Sequence, residues 1–114
     1  MTSPYQQGFV YKKIKAIKVP VEPDATKLPP LPTTGHVTDV TVQNLPGNSN
    51  SIKIMGVSIP PGGTWSWSIP AAGYELDPTQ IDLDLGGQPI SVYYNYVDRK
   101  SLSPTLGLQG RLAW

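Results

Sequence analysis

The chain has 114 residues, nine Lys and Arg against eight Asp and Glu, one histidine and no cysteine. That length holds one domain, the lack of cysteine excludes disulfide support, and a single histidine makes a zinc site implausible. Near-neutral charge argues against nucleic acid as a partner. No stretch approaches the roughly 18 apolar residues of a membrane-spanning helix, no apolar run follows Met1 as a secretory leader requires, and there is no Asn-x-Ser/Thr acceptor for glycosylation.

Charge is unevenly placed. Residues 1–32 carry Lys12, Lys13, Lys15, Lys18 and Lys27 against Glu22 and Asp24, while the remainder has more acids than bases. A basic segment beside an acidic body suits docking between copies or onto another protein. The lysines, interleaved with Tyr11 and Ile14, could instead contact phosphates, but the segment has no arginine.

In chain order, residues 9–19 form the first periodic stretch. Val10, Ile14 and Ile17 would fit a helical stripe, but the β-branched content and the absence of an N-cap residue favour strand. Pro20, Pro23, Pro29, Pro30 and Pro32 follow, so residues 20–32 read as an extended strap with polyproline II character. Pro29-Pro30-Leu31-Pro32 also offers a PxxP register, for which a stiff spacer is the simpler use. Residues 1–34 are therefore expected as an extended N-terminal arm, residues 35–98 as a β domain and residues 99–114 as an extended tail.

Within the β domain, Val40 and Val42 share one face, and a loop rich in Pro, Gly and Asn follows over residues 44–50. Ile52 and Ile54 share the next face, and Gly56 suggests a bulge or a close backbone approach. Pro60-Pro61-Gly62-Gly63 turns the chain into Thr64-Trp65-Ser66-Trp67-Ser68. Ile81, Leu83 and Leu85 then alternate with Asp82 and Asp84, and Gly86-Gly87 suits a tight hairpin into residues 90–97. Alternation of this kind gives a small antiparallel β domain behind a Pro-rich arm.

Candidate chemistry is sparse. Trp65 and Trp67 point the same way about 6.8 Å apart on a strand. They could stack on sugar rings, but Ile69 continues their face and core packing is the better reading. Asp82 and Asp84 could supply calcium oxygens or a carboxylate pair, though a solvated strand face explains them. His36 reads as a loop residue outside any catalytic motif, and no phosphate loop or nucleophile elbow is present. No cofactor or metal is expected, and the chain does not read as an enzyme. The exception is residues 90–97. Ile90, Val92, Tyr94 and Tyr96 fill one face, while Tyr93 and Val97 occupy the other. Bulky groups on both faces of a small domain point to an interface. The candidate partner-binding residues are Phe9, Tyr11, Lys12, Lys13, Lys15, Lys18, Tyr93, Tyr94, Tyr96 and Trp114, the last among scattered tail leucines.

The run Val40-Thr41-Val42-Gln43-Asn44, the Ile52-Lys53-Ile54-Met55-Gly56 strand, the Pro60-Pro61-Gly62-Gly63-Thr64-Trp65 turn and Ile90-Ser91-Val92-Tyr93-Tyr94 together resemble small β-sandwich proteins of tailed-bacteriophage virions. The resemblance covers about residues 37–98 and rests on general β punctuation; residues 99–114 have no counterpart in it. It implies an all-β fold, a small antiparallel β-sandwich or jelly-roll-like body with an extended Pro-rich N-terminal arm, acting as a capsid decoration (cement) protein on the outside of the head, bound to the major capsid protein or other virion proteins. A homo-oligomer is implied, with trimers favoured, on a virion assembled in the host cytoplasm. The runner-up is a connector, tail or fibre component, and a carbohydrate-binding module comes third.

Overall fold

A computed structural model describes residues 13–71 and 73–98 as two antiparallel sheets packed face to face. In chain order the strands are β1 (Ile14–Val19), β2 (His36–Asn44), β3 (Ile52–Ile54), β4 (Val57–Ile59), β5 (Thr64–Ser68), β6 (Leu83–Asp84) and β7 (Ile90–Val97). The larger sheet runs β1-β7-β2-β5 and the smaller β4-β3-β6. The one helical element among the described residues is a single 3-10 turn, Pro78–Gln80, which Asp77 caps by accepting from the Thr79 amide.

Period-two burial builds both sheets. Val40, Val42, Val92 and Tyr94 from the larger sheet join Ile52, Ile54, Ile81 and Leu83 in one core. Val37 and Val40 are both buried although three apart, which strict alternation forbids; a register shift between Val37 and Asp39 reconciles them. The stretch at residues 9–19 resolves as strand where it is described, from Ile14 onward, because β1 pairs along its whole length with β7.

Turn chemistry decides how the sheets connect. Pro60 O accepts from Gly63 N at 2.8 Å, with Pro61 at the second position and Gly62 at φ 84°, which is the type II arrangement that only glycine adopts cheaply. This turn carries the chain from the smaller sheet to the larger. Met55 and Gly56, both at positive φ, form the two-residue hairpin between β3 and β4, so Gly56 is not a bulge. The Gly86-Gly87 turn is as tight as its sequence promised, closed by Gln88 N to Leu85 O at 3.0 Å. It makes no hairpin, however: β6 pairs with β3, and β7 lies between β1 and β2 in the other sheet.

The described part of the segment before residue 35, residues 13–34, packs against the body. β1 forms one edge of the larger sheet, and the chain then crosses to the smaller one. There Thr26 O accepts from Leu83 N at 2.8 Å and Leu28 N donates to Ile81 O at 3.3 Å. Val19 and Leu28 are buried in the shared core, and the Tyr94 hydroxyl donates to Pro29 O at 2.6 Å. The strap thus spans one open side of the sandwich. Val19 and Leu28, on the N-terminal side of the boundary expected at residue 34, have a home in the chain's own core.

Candidate functional site: an outer sheet face and an aromatic cleft

Directly opposed residues in an antiparallel pair share a face, so the strand registers define the outer surface of the larger sheet. Lys18, Tyr93, Thr41 and Ser66 form one row across it, and Ala16, Asn95, Asp39 and Ser68 form the next. Tyr93 is 46% exposed and Ile14, on the same face of β1, is 65% exposed. The result is a broad face of small polar groups carrying one tyrosine, one isoleucine and a lysine.

The predicted partner-binding residues divide sharply on this frame. Tyr93, Lys13, Lys15 and Lys18 are exposed, and Tyr93 and Lys18 are cross-strand neighbours. Tyr96 is half-buried beside Gly35, whose missing side chain gives the ring room. Tyr94 is a correction. It is fully buried between the sheets, burial pushes its phenol well above the usual tyrosine range, and no partner can reach its ring. Phe9, Tyr11, Lys12 and Trp114 lie outside the described residues. Ile14 was missed as a face residue because its β-branched chain reads as core in a periodic stretch.

Asp39 ties the middle of the face together. Partial burial opposes its ionisation, but hydrogen bonds from Ser68, Thr38 and Asn95 outweigh that and hold the carboxyl below its ordinary value. Thr38 Oγ1 donates to it at 2.9 Å. A depressed folded value contributes stability above the ordinary carboxylate range, and that stability is lost as pH falls through the folded value. Urea midpoints at neutral and acid pH should therefore diverge less in Asp39→Asn than in the natural chain; equal divergence would remove Asp39 from the acid response.

The tryptophans are a second correction. Trp65 lies opposite Val42 and Trp67 opposite Val40, so both point to the inner side of the larger sheet. Yet among the described residues β5 is an edge strand and the facing sheet has three strands. Trp65 packs partly on the core while Trp67 is 44% exposed, its ring 6.1 Å from that of Trp65 in an edge-to-face pair. Trp67, Ile69, Pro70, Tyr74, Glu75 and Gln80 line a cleft of about 270 Å³. A neighbouring, more polar recess of about 470 Å³ lies between the strap at Leu31 and residues 75–78. Tyr74 and Gln80 gave no sequence signal, because Tyr74 sits in irregular chain and Gln80 in a single 3-10 turn, neither with a period to read.

The remaining titratable candidates are structural in their contacts. Asp82 pairs with Lys27 at 2.6 Å on the surface, and Asp84 lies opposite Lys53. His36 opens β2 and does not sit in a loop; its Nδ1 is 2.9 Å from Glu75 Oε1. Among the described residues no three His, Cys, Asp or Glu side chains gather as a metal group, and no helix is long and apolar enough to cross a membrane.

Comparison with protein-family models, curated proteins and solved structures finds no match to this chain.

Proposed function

We propose that this protein is a non-enzymatic structural component of a tailed-bacteriophage particle, acting as a capsid decoration protein that binds the assembled head and bridges its subunits. The observation that carries the reading is the outer face of the larger sheet, where Tyr93, Ile14 and Lys18 stand on a four-stranded platform of small polar side chains. Tyrosine offers a large contact area with a hydroxyl that tolerates water, and a rigid sheet loses little freedom on docking. The resemblance of residues 37–98 to small virion β-sandwiches supports the same reading. Binding the assembled shell and not its free subunits stabilises the shell by mass action.

The test is occupancy on purified heads at equal protein concentration. Tyr93→Ala should weaken binding about 10- to 30-fold, the loss of one central aromatic anchor, and Lys18→Glu should weaken it more at low salt than at high. Full occupancy by both variants would rule out this face.

A second reading has its own observation, the cleft beside Trp67. An exposed indole and Tyr74, with the Gln80 amide close by, match the stacking surface and planar polar group that a sugar ring uses. Titration with oligosaccharides, followed by tryptophan fluorescence in the natural chain and in Trp67→Ala, separates this reading from the first.

A further inference from the structure

Among the described residues the two sheets have four edges, and three carry protection against strand pairing. β1 bears Lys15 and Lys18, β4 is three residues long and runs into Pro60-Pro61, and the strap beside β6 carries Lys27 followed by Pro29 and Pro30. Charges, prolines and short length are the devices that blunt an edge. β5 has none of them: Thr64-Trp65-Ser66-Trp67-Ser68 is uncharged, free of proline and regular in register with β2.

The hydrogen bonds flanking β5 fix which of its backbone groups face outward. Ile69 N donates to Thr38 O and Asn44 N donates to Gly63 O, both at 3.0 Å, in register with the β2–β5 pairing. Bonded and non-bonded pairs alternate in an antiparallel ladder. Trp65 and Trp67 therefore bond β2, and the N–H and C=O groups of Thr64, Ser66 and Ser68 point to the open edge.

We infer that β5 is a self-association edge, pairing antiparallel with β5 of a second copy about a two-fold axis at Ser66. The pattern is self-complementary in that register. Ser66 meets Ser66 of the second copy and Thr64 meets its Ser68, so every outward-facing backbone group finds a partner. Trp65 then faces Trp67 of the second copy, and the reverse, gathering four indoles on the inner side where the narrower sheet leaves Trp67 uncovered. The outer side joins only hydroxyls, and no charge on either strand opposes the approach. A two-fold contact of this kind uses the same patch on both copies and closes at two. The edge lies apart from Tyr93 and Lys18, so this inference stands whether or not the particle reading does.

Sedimentation of the full chain across micromolar to millimolar concentrations should give a reversible monomer–dimer equilibrium. Ser66→Lys, which sets like charges directly opposite at the axis, and Ser66→Pro, which removes an outward N–H, should each weaken it at least about tenfold. Ser58→Lys on exposed β4 should leave it unchanged. The chain has no cysteine, so Ser66→Cys gives an independent readout: Cα atoms of a bonded antiparallel pair are about 5.5 Å apart, within disulfide reach, and mild oxidation should cross-link the folded protein through that position. A natural chain that is monomeric or trimeric throughout, a dimer that both Ser66 variants retain or that Ser58→Lys weakens equally, or failure of Ser66→Cys to cross-link overturns the inference.

Discussion

Deleting residues 1–32 should leave a chain that fails to fold at room temperature. The deletion removes β1, whose six residues pair with β7, and takes Val19 and Leu28 out of the core. Each of those side chains stabilises by about 1.5 to 3 kcal/mol through burial alone. It also strips the Tyr94 hydroxyl of Pro29 O and the Leu83 amide of Thr26 O, at about 1 to 3 kcal/mol for each buried group left unpaired. A domain is stable by only about 5 to 15 kcal/mol in all, so these losses together with that of the β1–β7 ladder exhaust the reserve. Circular dichroism and urea unfolding of the shortened chain, beside one lacking only residues 1–12, measure this directly. A cooperative transition near the natural midpoint in the chain lacking 1–32 would show that the strap contributes nothing to the body.

Asn44→Ala should cost about 3 kcal/mol, more than most polar substitutions. Asn44 is fully buried and its side chain makes three hydrogen bonds, donating to Ile59 O at 2.9 Å and Asn50 O at 3.1 Å while accepting from Asn48 Nδ2 at 2.7 Å. Its backbone bonds Gly62 and Gly63 in the type II turn. One residue thus joins the end of β2, the loop at residues 45–50, the end of β4 and the turn into β5. Asn44→Asp should be worse, because it aims a carboxylate at two carbonyl oxygens. Asn48→Ala, nearer the surface, should cost about 1 kcal/mol, since water replaces part of what it loses. Urea midpoints order the three variants, and an Asn44→Ala chain within about 0.5 kcal/mol of the natural one would refute the role.

What could be read from the sequence was whatever a local period encodes. The alternation in residues 52–54, 64–68 and 81–85 placed those stretches in β structure, and Pro61-Gly62 specified its turn. Partnership between strands is not a local property. Gly86-Gly87 is equally compatible with a hairpin and with a crossing between sheets, and only the pairing of Leu83 with Ile54 decides. Trp67 illustrates the same limit at the site: its face was predictable, but its exposure depends on how many strands the opposing sheet has. Tyr94 and Tyr93 are adjacent and chemically identical, yet one fills the core and the other the surface. The register of β7 between β1 and β2 separates them. Asn44 was legible only as a loop boundary, because the four segments it ties together are brought together by the fold.

Among the described residues, the strand at the centre of the larger sheet is the last one in the chain. β7 is flanked by β1 and β2, so during synthesis the ribosome must deliver residues 90–97 before either neighbour gains that partner. Until then a nascent chain holds β1 without any ladder and β2 with only β5 beside it, while Val40 and Val42 lack the packing that Val92 and Tyr94 bring. Contacts between residues 14–19 and 92–97 also close a loop of most of the described chain, which places this protein among slow-folding, high-contact-order β topologies. Completion of the larger sheet therefore waits for residues 90–97, and its exposure to misassociation is set by how quickly β7 inserts between two waiting strands.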